Sequence, residues 1–273
     1  MNLELLGFLA CAIVGILLGL LGAGGSILTV PVLVYFFGLP PLLATSYSLF
    51  IVGSTSMVAS INKYQRGEVL IKPALLFAFI SITAVISIRS CILPHIIYDT
   101  FRIGHIEIAY DNLCMLLFAV LMIVAALFMV TQLNDKQFAN DEIRGKRWLK
   151  VSFFALAIGA VTGLLGAGGG FLIFPVLTLL LHVEVKKAVG TSLTIVALNS
   201  FSGFASDMKL PEFNWFFLLT ITAIALVGGI SGMIIAQKID SRMIKKCFAW
   251  LVLSMGLVIL LTEFSKLTAL SYK

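Results

Sequence analysis

A glycine-rich motif occurs twice in this chain of 273 residues. The sequence GLLGAGGSILTVPVL begins at Gly19, and GLLGAGGGFLIFPVL begins at Gly163, 144 positions later. The first seven residues of the two copies are identical, and the same offset aligns Ser48 with Ser192. Because an agreement of this length does not arise by chance, the chain is predicted to consist of two homologous halves.

The segments around both copies are too apolar for a water-soluble domain. Hydrophobic residues make up 60% of the chain and charged residues only 12%, whereas a soluble domain carries about 25% charged residues. Since a membrane-spanning helix needs about 20 apolar residues, we predict an all-α polytopic protein embedded in the lipid bilayer. The apolar segments lie approximately at 5–37, 42–61, 73–93, 113–133, 151–181, 186–206, 213–236 and 245–264.

The most charged internal stretch, NDKQFANDEIRGKR, lies near the middle of the chain. Its position between the two copies of the motif marks the boundary between the halves. We therefore predict a first transmembrane repeat at 1–133, a charged cytoplasmic linker at 134–147 and a second transmembrane repeat at 148–273.

The two segments that contain the motif have an unusual length. Segments 5–37 and 151–181 are too long for one ordinary crossing and too short for two. Consecutive glycines, which permit tight turns, interrupt each of them. Each segment is therefore predicted to be a broken or re-entrant hairpin, the first with arms near 5–21 and 26–37. Two short full crossings per segment would fit the sequence equally well.

The distribution of basic residues indicates how the halves are oriented. If the two segments are hairpins, 14 of the 19 lysines and arginines fall on one side of the membrane and 5 on the other. Eight single crossings would give 11 and 8, and the positive-inside rule favours the more uneven division. A hairpin plus three crossings inverts the second half, so both termini are predicted outside and the two glycine tips face each other near the midplane. Transporters built from inverted repeats bind their substrates there.

The residues at each tip and in the helix that follows are candidate ligands for an anion. Free backbone N–H groups and the positive end of a helix dipole favour negative charge, and hydroxyl or amide groups can add hydrogen bonds. Any single serine can instead bond to its own helix or to a neighbouring one. The candidate substrate-binding residues are Gly22, Gly24, Gly25, Ser26, Ser48 and Ser56 in the first half, and Gly166, Gly168, Gly169, Gly170, Thr191, Ser192, Asn199 and Ser200 in the second.

Other glycines and the charged residues near helix ends have structural interpretations. Glycines spaced as GxxxG let helices pack closely, and we assign three such pairs to packing. Arg89 is expected to extend its charge toward the membrane surface, and Lys63 and Asp207, at equivalent helix ends, are expected to be interfacial. No acidic residue is expected deep within a crossing. The three pairs are Gly15/Gly19, Gly159/Gly163 and Gly228/Gly232.

Catalytic and metal-binding chemistry is not indicated. The four cysteines form no CxxC pair, and the three histidines are dispersed along the chain. No nucleophile and base occur at a characteristic spacing, and nucleotide-binding glycine motifs are absent. We therefore expect no metal, no cofactor, no nucleic-acid partner and no enzyme activity.

The paired GLLGAGG…PVL motifs, together with AVGTSL at Ala188–Leu193 and the weaker LLATSYSL at 42–49, carry a family resemblance. The chain resembles the sulfite exporter TauE/SafE family of membrane permeases over nearly its whole length. The resemblance implies an inner-membrane, multi-pass transporter of small anions, among which sulfite and organosulfonates are typical of the family.

Three classes of function follow from these observations. The first is a secondary transporter, most simply an exporter, of a sulfur-containing or carboxylate anion bound between the tips. An anion channel that uses the same tips is the second, and a non-transport membrane assembly factor is the third. The sequence leaves open the substrate, the direction of transport, coupling to an ion or a proton, and homo-oligomer formation.

Overall fold

A computed structural model describes residues 3–93, 101–103, 106–108, 110–131, 146–166, 168–179, 181, 183–208, 213–236 and 241–271. Over these ranges the chain forms ten α-helices, which confirms the all-α class. They are α1 (Leu3–Leu21), α2 (Thr29–Phe37), α3 (Pro41–Gln65), α4 (Ile71–Ser87), α5 (Tyr110–Thr131), α6 (Lys146–Leu165), α7 (Gly170–Leu179), α8 (Val185–Asp207), α9 (Trp215–Ala236) and α10 (Ser241–Ser271).

Three features differ from regular α-helix. A 3-10 helical segment, Gly22–Leu28, connects α1 to α2, and α4 continues through a π-helical turn at Ile88–Ile92. Strands Phe101–Ile103 and Ile106–Ile108 form a two-stranded antiparallel ribbon that the sequence did not indicate. Nearly all of the predicted linker at 134–147 lies outside the described residues, because α6 begins only at Lys146.

Among the described residues, four helices are long and apolar enough to cross a membrane by length and composition. They are Pro41–Gln65, Ile71–Ile92, Val185–Asp207 and Trp215–Ala236. The first and third are 67% buried within the protein, against 28% and 39% for the other two. Helices α3 and α8 therefore form the centre, while α4 and α9 lie outside them. The outer helices expose large apolar side chains, Phe79 and Phe216 among them, as expected of surfaces that face lipid tails.

The two central helices are equivalent members of the halves and run antiparallel. Near the beginning of α3, Ser46 contacts Asp207 at the end of α8. Near the end of α3, Ser60 forms a hydrogen bond of 2.7 Å with Thr194 in the first half of α8. Since the residue numbers rise along one helix as they fall along the other, the chain directions are opposite.

The flanking helices exchange partners between the halves. Helix α1 packs along α9, and its repeat equivalent α6 packs along α4. A Cβ atom added at Gly15 would meet the backbone of Ala225, and one added at Gly159 would meet the backbone of Ser81. Both contacts bring two backbones together at a GxxxG position. The packing interpretation of the three glycine pairs is confirmed.

Two neighbouring glycines of α9 provide a matched test of this packing. A Cβ at Gly232 would collide with the carbonyl oxygen of Ile16, whereas the nearest atom to a Cβ at Gly229 is the Gly15 oxygen at 3.6 Å. We expect Gly232→Ala to lower the free energy of unfolding by about 1–3 kcal/mol, a typical cost of overpacking. Gly229→Ala should have little effect. Thermal unfolding of the purified variants measures both, and equal stability of the two would contradict the assignment.

Candidate functional site

The second glycine tip joins α6 to α7 through backbone that only glycine adopts easily. Gly166, Gly168 and Gly169 have φ angles of 65°, 68° and 67°, which an L-residue with a side chain rarely adopts. Helix α6 ends as the N–H of Gly166 donates to Thr162, and the N–H of Ile173 donates to the carbonyl of Gly169. Helix α7 then begins at Gly170, as the sequence predicted.

This tip lies against the central helix of the other half. A Cβ at Gly166 would overlap the backbone of Thr45 in α3. A Cβ at Gly168 would stand 2.8 Å from the Cγ1 of Val52 in α3 and 3.0 Å from the Oγ of Ser200 in α8. The glycines therefore let the tip backbone enter the crossing between α3 and α8.

The first tip occupies the corresponding place on α8. Gly22 has a φ angle of 71°, and its Cβ would stand 2.8 Å from the Cγ1 of Val189. Gly22 is the repeat equivalent of Gly166, and Val189 is the equivalent of Thr45, so the two contacts match. The continuation differs between the tips. Residues 22–28, which include Gly24, Gly25 and the buried Ser26, form the 3-10 segment, and α2 begins at Thr29 rather than near Ser26.

The two tips meet along one face of α8. Gly22 contacts Val189 and Leu193, whereas Gly168 contacts Val196 and Ser200, which lie seven residues farther along the helix. At 1.5 Å per residue, the two contact points are separated by about 10 Å. The 3-10 segment of the first tip also packs against α7, which follows the second tip. The structure therefore places both glycine runs against the same face of α8.

Several predicted polar residues near this face have no hydrogen-bond partner within the described part of the chain. They are buried, and their unsatisfied atoms are the hydroxyls of Ser48, Ser56 and Ser200 and the Nδ2 of Asn199. The Oδ1 of Asn199 accepts a hydrogen bond of 2.8 Å from Ser81. Leaving a buried polar group unsatisfied costs about 1–3 kcal/mol, so such a group calls for a ligand, a water or another explanation.

The helical period places Ser48 on the face of α3 that meets the second tip. Ser48 follows Thr45 by three residues and precedes Val52 by four, and both of those residues contact the tip. Residues with these spacings share one helix face. Ser56, four residues after Val52, lines a small cavity with Gly19 and Leu193. The cavity measures about 10 Å³, and one water needs about 10–15 Å³. This cavity therefore has room for about one water and none for a larger anion.

Two other predicted residues already have partners. The hydroxyl of Thr191 accepts a hydrogen bond of 3.0 Å from the N–H of Leu70, and the hydroxyl of Ser192 donates to the carbonyl of Val189 at 2.9 Å. Conversely, Thr162 carries a buried, unsatisfied hydroxyl beside Gly169 that the sequence did not single out. Its repeat equivalent is Leu18, so the duplication provided no signal for it.

A buried ion pair lies beside the second tip and corrects an expectation from the sequence. Arg89 is 3% exposed and Asp207 is 5% exposed, and the guanidinium Nη1 of Arg89 pairs with the Oδ2 of Asp207. The Nε of Arg89 donates to the carbonyl of Gly163 at 2.9 Å. The prediction that Arg89 extends toward the surface is wrong, because α3, α6 and α8 enclose its side chain. Asp207 is the last residue of α8, and its interfacial position stays a prediction.

A second acid is also buried. Glu263 of α10 accepts a hydrogen bond of 3.0 Å from the hydroxyl of Tyr35. Lys63, by contrast, forms an ion pair of 2.6 Å with Glu68 in which the two side chains are 28% and 23% exposed. Its partly exposed position agrees with the interfacial expectation.

The apolar helices and the packing exchanged between the halves are those of an integral membrane protein. The comparisons with known proteins specify it further. The model of the sulfite exporter TauE/SafE family matches residues 7–259, and the chain belongs to that family.

Two similar proteins align with almost the whole chain, and a third aligns with one third of it. A probable membrane transporter protein of Xylella fastidiosa is 26% identical and aligns over 94% of this chain and 95% of its own length. One of Haemophilus influenzae is also 26% identical, over 90% and 93%. A probable membrane transporter protein of Methanocaldococcus jannaschii is 39% identical over 97 residues, which are 33% of this chain and 36% of its own. No solved structure matches the chain.

Proposed function

We propose that this protein is a secondary transporter that exports a small anion across the bacterial inner membrane, with the anion bound between the two glycine tips. Sulfite, an organosulfonate, or a related sulfur-containing or carboxylate compound fits the proposal. The observation that carries it is a group of buried, unsatisfied donors on the two central helices, namely the hydroxyls of Ser48, Ser56 and Ser200, the last of which lies beside Gly168, and the amide Nδ2 of Asn199.

The chemistry of these donors suits an oxyanion. Hydroxyl and amide N–H groups donate to anionic oxygens, and the N-terminus of α7 at Gly170 adds the positive end of a helix dipole. Charge-assisted hydrogen bonds of this kind are about twice as strong as neutral ones. An anion at the tips would satisfy donors that the protein leaves without partners.

The small size of the cavity beside Ser56 favours a carrier over an open channel. A cavity of about 10 Å³ holds at most one water, so binding requires the tips or the central helices to separate. In proteoliposomes, unlabelled sulfite inside should accelerate uptake of labelled sulfite, as carriers do in counterflow. Unitary currents without counterflow would instead identify a channel, and the absence of anion flux of either kind would refute the proposed function.

The antiparallel crossing of α3 and α8 supports halves that are inverted in the membrane. The rings of Phe8 in α1 and Phe37 in α2 have centroids 5.3 Å apart, which supports a first segment that folds back as a hairpin. We therefore expect both termini outside and the linker in the cytoplasm. Single cysteines placed at Asn2, Asn140 and Tyr272, in a background without the native cysteines, can be probed with an impermeant thiol reagent. Labelling at 140 alone would contradict this orientation.

Serine substitutions test the proposed donors. Ser48→Ala and Ser200→Ala should each raise the half-saturation concentration for sulfite by about 10–100-fold, since one hydrogen bond to a charged group contributes about 1.5–3 kcal/mol. Stability should not fall, because neither hydroxyl bonds to a described residue. Ser192→Ala is the matched control, because its hydroxyl is engaged by Val189 and its loss should change binding less. Labelled flux per folded protein provides the measurement, and an equal change in all three variants would contradict the donor assignment.

A further inference from the structure

The buried ion pair of Arg89 and Asp207, together with Ser46, forms a charged cluster in direct contact with the second tip. The Nε of Arg89 donates to the carbonyl of Gly163, three residues before Gly166. The hydroxyl of Ser46 contacts the Asp207 carboxylate and accepts a hydrogen bond of 3.3 Å from the Nη1 of Arg89. Ser46 follows Thr45, the residue against which the backbone of Gly166 packs. The cluster therefore borders the proposed anion site.

The repeat itself demonstrates that the helix packing does not need this cluster. In the other half the equivalents of Arg89, Asp207 and Ser46 are Met233, Lys63 and Gly190. Met233 occupies the matching place, since its backbone N would lie 2.8 Å from a Cβ at Gly19, the equivalent of Gly163. The same arrangement of helices thus forms once around a buried ion pair and once with Met233 in place of Arg89, where Lys63 instead pairs with Glu68 at a partly exposed position.

A charged cluster that packing does not require calls for a functional explanation. Desolvation of two charges can exceed their mutual attraction, so a buried ion pair is weak evidence for a stabilising role. A guanidinium, however, presents a rigid fork of N–H donors that matches the oxygens of a carboxylate or another planar or pyramidal oxyanion. The carboxylate of Asp207 already occupies part of that fork.

We propose that Arg89 is the group that selects a negatively charged substrate, and that Asp207 is an internal substitute that occupies the guanidinium when no anion is bound. This inference rests on the proposed anion transport. The hydroxyl and amide donors at the tips bind a neutral polar solute as well as an anion, whereas Arg89 adds the selection for charge. An arriving oxyanion replaces the Asp207 carboxylate, so the guanidinium keeps an anionic partner throughout.

The exchange also links ligand binding to movement between the halves. Arg89 and Ser46 belong to the first half, and Asp207 and Gly163 belong to the second. Replacing an intramolecular contact by the substrate removes one attraction that holds α8 to α3 and α4. Binding of the anion therefore favours separation of α8 from α3 and α4, which makes room for an anion larger than one water.

Binding of sulfite, with methanesulfonate as a second probe, tests the inference on purified full-length protein. Arg89→Lys keeps the charge and loses the fork, so the Kd should rise by about tenfold. The double variant Arg89→Met with Asp207→Asn copies Met233 of the other half and leaves no charge in this cluster, so it should fold but bind neither probe. The control removes the partly exposed ion pair by Lys63→Met with Glu68→Gln, and its Kd should equal that of the unmodified protein.

The outcomes separate this inference from the proposed function. If Arg89→Lys or the double variant binds sulfite as tightly as the unmodified protein does, the role of Arg89 is refuted while anion transport stands. If the unmodified protein neither binds nor transports either probe, both proposals fail. Should the double variant not fold, Arg89→Lys decides, because it retains an ion pair with Asp207.

Discussion

Gly168→Val is expected to abolish anion transport, whereas Gly67→Val should leave transport nearly unchanged. Both glycines have a positive φ, 68° and 70°, so the two substitutions share a backbone strain of about 1–2 kcal/mol. Only at Gly168 does the new side chain meet Val52, Val196 and the Oγ of Ser200, and nothing lies within 4 Å of a Cβ at Gly67. Overpacking adds about 1–3 kcal/mol, so strain and crowding together predict a loss of roughly a hundredfold.

The measurement is labelled sulfite flux in proteoliposomes, normalised to folded protein. Gly22→Val is the corresponding change at the first tip, because the positive φ is found there at Gly22. The sequence had pointed to Gly24, which lies within the 3-10 segment. Transport at the unmodified rate by both tip variants would mean that the duplicated glycines serve packing alone and that the binding site lies elsewhere.

Removing one partner of the Arg89–Asp207 pair should destabilise the protein far more than removing both. Asp207→Ala leaves a guanidinium that is 3% exposed without its carboxylate, and breaking a buried pair in this way costs about 3–5 kcal/mol. The double variant Arg89→Met with Asp207→Asn removes both charges, and such replacements are often neutral or stabilising. We therefore expect a large loss of stability in the single variant and a small change in the double variant.

Unfolding of the purified variants in the absence of anions measures this difference. Lys63→Met is the matched control, because its ion pair with Glu68 is partly exposed and surface pairs contribute about 0–1 kcal/mol. A double variant that is as unstable as Asp207→Ala would indicate that the pair ties the halves together for stability, independently of any ligand.

The repeat made the tips predictable from the sequence. An identical run of glycines cannot be explained by helix packing alone, and the offset of 144 positions paired Gly22 with Gly166 before their contacts were known. The same register drew attention to Ser56 and Ser200. In the structure both serines are buried with unsatisfied hydroxyls.

The ion pair was not predictable in the same way. Arg89 and Asp207 are 118 positions apart, and neither has a charged equivalent of matching sign in the other half. Each lies near a helix end, where a charge in an apolar chain normally reaches water. Their burial depends on the packing of α4 against both α6 and α8, which residue periodicity does not reveal. Hydrogen bonding also distinguishes Ser48 from its repeat equivalent Ser192, because the Ser192 hydroxyl donates to Val189 and the Ser48 hydroxyl has no partner in the described part of the chain.

The exchange of partners between the halves has a consequence for the order in which the protein is made. Helix α1 leaves the ribosome first, yet the helix that covers its small-residue face, α9, begins at Trp215. Throughout most of synthesis that face of α1 has only lipid or the insertion machinery against it. Helix α4 is likewise translated before α6, the helix along which it packs. Membrane insertion of the first half therefore precedes its folding, and the native packing is completed only after α9 and then α10, which packs against α5, have been translated.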